Sequence, residues 1–349
     1  MSAPLEFALD TFGDVTVDAD GATLPYPQVI RNVVEQAVLA DSLGVDAFGI
    51  GEHHRADFAV TAPEIVLAAI AARTERIRLS TAVTVLSSDD PVRVYERFAT
   101  LDAVSHGRAE IILGRGSFTE SFPLFGYDLG QYQELFEEKL DLLDKLLDEG
   151  PVTWQGELRA GLTDQHVYPK TESGRIRTWI GVGGSPESVV RAARYEMPLM
   201  LAIIGGQPER FAPYVDLYHR ALAEFGVATL PVGLHSPGHV ADTDEQAREQ
   251  LWPHYRVLHD RIGRERGWGP TSRARFEAEA DVGSLYVGSP ETVAAKIAKT
   301  VRALGVSRFE LKYSSGTLPH EAMMTSIGLY AEQVVPRVRQ LLSADAPAS

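Results

Sequence analysis

The chain reads as an α/β protein, a (β/α)8 TIM barrel with insertions after the fourth and seventh strands, and three observations predict this. Short β-branched or apolar runs alternate eight times with longer stretches of helical period. Each connection is long enough to cross over, which makes the strands parallel, and eight such units favour a closed barrel over an open doubly wound sheet. Polar and glycine-rich residues follow directly on the strands' last apolar positions, where a barrel keeps its chemistry.

Residues 5–9 form the first strand and 27–43 its helix, with Val29, Val33, Ala37 and Ala40 on one face. The run 45–50 is a second buried strand, and Pro63 opens a helix to residue 73 from the first-turn position proline favours. A strand at 77–83 is followed by a helix at 91–105, stopped by His106-Gly107. Residues 109–113 are the fourth strand and 131–147 its long periodic helix. Between 151 and 169 the alternation is interrupted by an expected hairpin of Val152-Thr153-Trp154 with Gln165-His166-Val167-Tyr168. Strands at 178–182, 199–204 and 232–235 follow, separated by helices at 187–195 and 208–225. Residues 236–284 form the second insertion, with a charged helix at 244–266 and the turn Gly267-Trp268-Gly269-Pro270. A helix at 291–304, a strand at 307–313 and a helix at 319–342 close the chain. Residues 1–342 are expected to be one domain and 343–349 a disordered tail.

Thirty-three basic against 48 acidic side chains leave a formal charge of −15, a field that repels nucleic acid and anionic membrane surfaces. No run of about 18 apolar residues is present, so nothing is expected to span a bilayer. The absence of cysteine removes disulfides, thiolate metal sites and cysteine nucleophiles. The first ten residues have no basic segment ahead of an apolar one, and a cytoplasmic protein is expected.

Glu52-His53-His54 leaves the second strand at the barrel mouth. Adjacent imidazoles on an extended backbone face opposite ways and the zinc-protease spacing is absent, so no metal is expected there. A histidine at the mouth suits acid–base work or a hydrogen bond to a reacting group; the plainer alternative is an imidazole packed under a loop. Gly181-Val182-Gly183-Gly184-Ser185 runs from a strand into a helix, so backbone N–H groups and the helix N-terminus can meet a phosphate. Pro186 stands where the dinucleotide fingerprint has its third glycine, and Gly206 where it has a ribose-binding acid. A mononucleotide phosphate therefore fits better than NAD, although a tight turn alone would explain the glycines. Gly114-Arg115-Gly116 offers a guanidinium as a clamp for phosphate or carboxylate, or else a salt bridge to Glu110 or Glu120. One phrase recurs, Gly184-Ser185-Pro186-Glu187-Ser188-Val189 and Gly288-Ser289-Pro290-Glu291-Thr292-Val293, and reads as a capping grammar rather than a duplication. Phe118, Phe122, Phe125 and Tyr127 lie in a stretch that is either a substrate wall or a loop tucked onto the rim, and 236–284 is a second lid candidate.

Together these pieces resemble the bacterial luciferase-like family of flavin-dependent monooxygenases. The Glu-His-His run, Thr81-Ala82-Val83, Arg115-Gly116, the glycine/serine turn and the closing Gly305-Val306-Ser307-Arg308-Phe309 occur there in the same order, a likeness extending over 5–339. The resemblance implies reduced FMN at the carboxyl end of the barrel, with Arg115, Ser185 and Ser188 on the phosphate and Gly183 and Gly184 lining it. It implies a cis bond between Ala82 and Val83 beneath the flavin ring, and His53 as the catalytic histidine near a flavin C4a-peroxide or the substrate. In the luciferase α chain a glutamate precedes the phosphate-binding serine; here Gly184 stands in its place, a departure from the family's pattern. The implied activity is oxygenation of a small organic substrate with O2. Sulfonate, aldehyde, alkane and aromatic users share the scaffold. Other relatives transfer hydride with the deazaflavin F420, or bind flavin without catalysis. With no evident NAD(P)H site, a separate flavin reductase is expected. So is a homodimer or higher homo-oligomer, pairing through the helices at 63–73 and 91–105, where Ala68, Ala69, Ala71 and Ala72 would allow close approach.

Overall fold

In the computed structural model, which describes residues 4–18, 20–116 and 118–344, helices surround a ring of parallel strands. β1 (Glu6–Thr11) leads into α1 (Tyr26–Ser42), β2 (Ala47–Ile50) into α2 (Pro63–Ala71), and β3 (Arg78–Thr81) with β4 (Thr84–Val85) into α3 (Pro91–Ser105). β5 (Glu110–Gly114) precedes the short α4 (Ser121–Phe125) and then α5 (Tyr132–Leu147). An antiparallel hairpin follows, β6 (Val152–Trp154) with β7 (Leu162–Gln165). β8 (Arg177–Val182), α6 (Pro186–Arg194), β9 (Leu199–Ala202), α7 (Ala212–Glu224) and β10 (Val232–Val240) resume the alternation. The second insertion supplies α8 (Asp244–Arg266), α9 (Arg273–Asp281) and β11 (Tyr286–Gly288). α10 (Pro290–Leu304), β12 (Arg308–Lys312), α11 (His320–Leu329) and α12 (Val335–Ser343) complete it.

The strands run in the order β3-β2-β1-β12-β10-β9-β8-β5-β4. β4 pairs with β5, and a bridge between Leu79 and Ala109 joins β3 to the same strand, so the ring closes as a TIM-type barrel. Outward strand residues such as Phe7, Leu9, Phe48, Leu113 and Leu311 pack against apolar helix faces as one large core. That side of each strand drives closure, since burying apolar surface contributes roughly 25 cal/mol per Å².

The barrel's inside is different. A small apolar plug of Ile112, Trp179, Met200 and Val83 fills the middle. Below it lies an ion-pair floor. Arg308, fully buried, donates to Glu6 Oε2 at 2.9 Å and to Glu110 Oε2 at 3.0 Å, while Arg78 and Arg177 reach Glu6 from the other strands. Burial pushes the Glu110 carboxyl up, but Arg308, Arg177 and Arg78 outweigh it and hold it below its usual range. The guanidiniums of Arg177 and Arg308 each stack 4.7 Å from the Trp179 ring. The floor of the barrel is thus filled by its own charges.

Several boundaries differ from expectation for identifiable reasons. The first strand runs on to Thr11, because Asp10 and Thr11 pair with Gly49 and Ile50. The expected 77–83 strand is two segments, parted at Ala82–Val83, whose peptide bond is cis. The seventh barrel strand extends to Val240, because Gly238 to Val240 pair with β11. The second hairpin arm is Leu162–Gln165, three residues earlier than the composition suggested. The helix expected at 319–342 is α11 and α12 around a π-helical turn at Tyr330–Val334. Pro336, lacking an N–H, cannot extend a regular α ladder through that point. Ser343 ends α12, so the expected tail begins too early by one residue; 345–349 lie outside the described residues. Among the described residues no helix is long and apolar enough to cross a membrane.

Candidate active site

His53 comes three residues after β2, and its position depends on Gly51. A Cβ at Gly51 would lie 2.4 Å from Phe12 and 2.9 Å from the Ala82 carbonyl, so only glycine lets β2 exit beside β1. The His53 ring is buried in an aromatic cage, with Phe12 and Phe58 at 4.6 Å and Phe118 at 5.0 Å between centroids. Its Nδ1 lies 3.9 Å from Glu120 Oε1. Burial pushes the Glu120 carboxyl up, and His53, a backbone N–H and Arg55 together bring it below its usual range. His54 turns the other way, its Nε2 lying 2.8 Å from Glu52 Oε1 and its ring packed on Phe125. The two imidazoles thus have separate partners, as extended backbone requires.

Ala82 and Val83 sit at the centre of the mouth. Ala82 N–H donates to the Ile50 carbonyl at 2.9 Å, and Val83 joins the apolar plug. A Cβ at Gly114 would be 2.4 Å from Val83 Cγ2, and one at Gly181 would be 3.4 Å from Val83 Cγ1. These two strand glycines make room for one side chain.

At the α6 N-terminus, Ser185 is the N-cap and accepts from Ser188 N–H; Pro186 and Glu187 complete the first turn. Ser188 Oγ donates to Ser185 Oγ at 3.3 Å and accepts from Arg191 at 3.1 Å. A Cβ at Gly183 would meet nothing within 4 Å, and at Gly184 only the Tyr214 hydroxyl at 3.7 Å. The half-buried Arg115 donates to Gln133 Oε1 at 2.8 Å and lies over the Tyr132 ring, without the salt bridge to Glu110 or Glu120 that was its alternative. Its charge reaches this turn: the exposed Glu187 carboxyl is held below its usual range by its own backbone N–H and Ser185, with Arg115 and Arg191 adding to the effect. Two hydroxyls, two guanidiniums and a helix N-terminus are therefore gathered at one turn, donor types that suit a phosphate, with Glu187 on the Ser185 hydroxyl and Glu137 on Arg191. Arg191, buried and also paired with Glu137, was missed in the sequence. Its position one turn after Ser188 was the available signal.

Sequence reading also missed the polar residues inside the strands. Asp10, His235 and Glu310 face one another beneath the mouth, and Lys312 is tied to Asp14 at 3.1 Å and to Ser314. Each of Asp10, His235 and Glu310 follows an apolar strand residue, an alternation that marks inward positions.

Both lid candidates reach the mouth. Phe118 belongs to the His53 cage, whereas Phe122 is fully buried beside Tyr132 and Tyr127 lies under Lys139 Nζ, so the loop is part wall and part rim packing. Ser117, between Gly116 and Phe118, lies outside the described residues. From the second insertion, Glu265 accepts from Arg55 at 2.8 Å and Arg261 pairs with Asp57 at 3.1 Å, which ties the end of α8 to the loop carrying His53.

Comparison with known proteins bears on the fold and the family. The chain is 30% identical over 335 residues to 4-hydroxyprotoasukamycin monooxygenase of Streptomyces nodosus subsp. asukaensis, covering 87% of this chain and 85% of that one. It is 27% identical over 216 residues to the alkanal monooxygenase alpha chain of the Kryptophanaron alfredi symbiont, a match covering 62% of this chain but only 60% of that relative's length. Two solved structures share the fold. One is the FMN-bound oxygenating constituent of 3,6-diketocamphane monooxygenase from Pseudomonas putida (TM-score 0.78, 20% identity, 96% and 98% of the two chains). The other is the coenzyme F420 dependent tetrahydromethanopterin reductase of Methanopyrus kandleri (TM-score 0.73, 19% identity, 96% and 100%). The model of the luciferase-like monooxygenase family matches residues 11–308, and the chain belongs to that family.

Proposed function

We propose that this protein is a monooxygenase that uses reduced FMN and O2 to oxygenate a small organic substrate. The observation that supports the reading is the α6 N-terminus, where Ser185, Ser188, Arg191 and Arg115 gather and a Cβ at Gly183 would meet none of the described residues within 4 Å. Gly183, Gly184, Ser185, Ser188 and Arg115 hold the phosphate, and Ala82 and Val83 support the ring. Bound FMN supplies the oxygen-activating chemistry; the chain binds it, excludes water and places a proton. His53 is the catalytic group, an imidazole at the mouth whose apolar cage shields it from water while Nδ1 faces Glu120. A separate flavin reductase provides the reduced cofactor. Two copies pair through α2 and α3. Ile65, Ala69 and Ala72 are exposed along one face of the chain there, although Ala71 is buried against the barrel and takes no part. Sedimentation at micromolar concentration is expected to show a dimer, and a monomer would rule this pairing out.

Hydride transfer with F420 is the second reading, favoured by the shared fold of the F420-dependent reductase. Oxygen uptake during turnover separates the two. In His53→Ala, flavin binding should persist while product formation falls roughly 10²–10⁴-fold, the range of a positioned acid–base group. The electrons should then appear as hydrogen peroxide. Unchanged coupling in a stably folded variant would remove His53 from the chemistry.

A further inference from the structure

Asp10, His235 and Glu310 form a cluster that phosphate binding at α6 leaves unused. One polar atom from each lies within 4.8 Å of the other two. Asp10 is 0% exposed and Glu310 1%, yet Asp10 Oδ1 and both Glu310 carboxyl oxygens have no hydrogen-bond partner among the described residues. Glu310 Oε1 stands 2.8 Å from where a Gly49 Cβ would be, so the carboxyl occupies the gap that this glycine leaves beside Ala82. His235 Nδ1 lies 2.7 Å from Asp10 Oδ2, which leaves Nε2 as the ring nitrogen for a ligand. The ring stacks on Phe12 at 6.2 Å, and Phe12 is itself part of the His53 cage. Two buried carboxyls that share a site, with three of their four oxygens unpartnered among the described residues, do not both readily stay ionised. Burial, then the Asp10 charge, push the Glu310 carboxyl well above the usual carboxylate range, against the pull of Arg308.

We propose that His235 is a second acid–base group of the mouth, and that Asp10 and Glu310 hold one proton between them beneath it. The catalytic part rests on the enzyme reading above. His235 Nε2 gives its proton to a substrate oxygen that gains negative charge, and Nδ1 takes the proton held by the carboxyl pair. One proton from solvent recharges the pair through the ring as product leaves, so a single proton enters for each one delivered. The charged and titratable neighbours are Arg308 and Glu110 toward the floor, Lys312 and Asp14 toward the mouth, His53 across Phe12, and the phenols of Tyr313 and Tyr330.

The test uses the full-length protein without ligand. Infrared spectra at neutral pH should contain a protonated carboxylic acid band that Glu310→Gln removes. With histidine labelled in nitrogen-15, the His235 Nδ1 resonance should follow the titration of the carboxyl pair, and Glu310→Gln should abolish that inflection. Melting temperatures check that the variant is folded; if it is not, Asp10→Asn supplies the same comparison. With reduced FMN, O2 and a substrate that the wild type oxygenates, product formation should fall roughly 10²-fold in His235→Asn while hydrogen peroxide rises, and the pH profile of product formation should lose an inflection in Glu310→Gln. Absence of the carboxyl band, or a His235 resonance indifferent to Glu310→Gln, would overturn the proposal. So would a stoichiometric metal that Glu310→Gln releases, since a cation would then replace the proton. The first two readouts need no flavin, so failure to bind FMN would count against the flavin reading alone.

Discussion

Two turns of this protein share a sequence and differ in what fills them. Ser185 caps α6 and Ser289 caps α10, each accepting the backbone N–H three residues on, each followed by proline and glutamate. At α10 the Asp244 carboxylate occupies the N-terminus: Oδ1 accepts from Ser289 N–H at 2.6 Å and Oδ2 from the Thr292 hydroxyl at 2.9 Å. A Cβ at Gly288 would sit 2.7 Å from that carboxylate. At α6, among the described residues, no distant carboxylate takes the helix N–H groups; Glu187 accepts the Ser185 hydroxyl, Arg191 links Ser188 to Glu137, and Arg115 adds its charge. The same capping grammar thus makes a structural joint where the chain supplies its own anion. At α6 the described residues bring Arg191 and Arg115 to the turn instead, as the proposed phosphate site requires.

The strongest way to break this contrast is to give α6 an anion of its own. Gly183 has open space and no positive φ, so Gly183→Asp should fold normally. Like charges placed together at a site differ by several kcal/mol, so FMN affinity should drop by more than about 10²-fold in titration calorimetry. Unchanged FMN affinity would mean the phosphate sits elsewhere. A smaller effect sharpens the other half. Asp244→Ala should lower stability by about 1 kcal/mol, as lost helix caps do, and leave FMN binding alone. Burial pushes the Asp244 carboxyl up, but Ser289 and Thr292 outweigh it and depress it. A depressed folded value contributes stability above the unfolded value of about 3.9, and that contribution disappears as pH falls through the folded value. Thermal melts of Asp244→Ala and wild type should therefore converge at low pH.

The contrast also explains which parts were legible in the sequence. Strand and helix order follow from local periodicity, and loops after strands are where Arg115 and Ser185 stand, so those positions could be read directly. The Asp244 plug could not, because it joins residues 45 apart, Asp244 and Ser289. Asp10, Glu310 and the Glu6–Arg308–Glu110 floor were hidden for a related reason. Inside a short buried strand a polar residue between apolar neighbours looks like noise until the barrel closes and sets it against its partners. The split at Ala82–Val83 leaves no trace in hydrophobic pattern, and only the family resemblance pointed to it.

The central claim is that the α6 turn and Arg115 bind the phosphate of a flavin mononucleotide. Its most direct test is the affinity of wild type and Arg115→Ala for FMN and for riboflavin, which lacks the phosphate. Removing a charge-assisted donor should weaken FMN binding by about 1.5–3 kcal/mol and leave riboflavin nearly unchanged. Equal weakening of both ligands, or no weakening of either, would contradict the account.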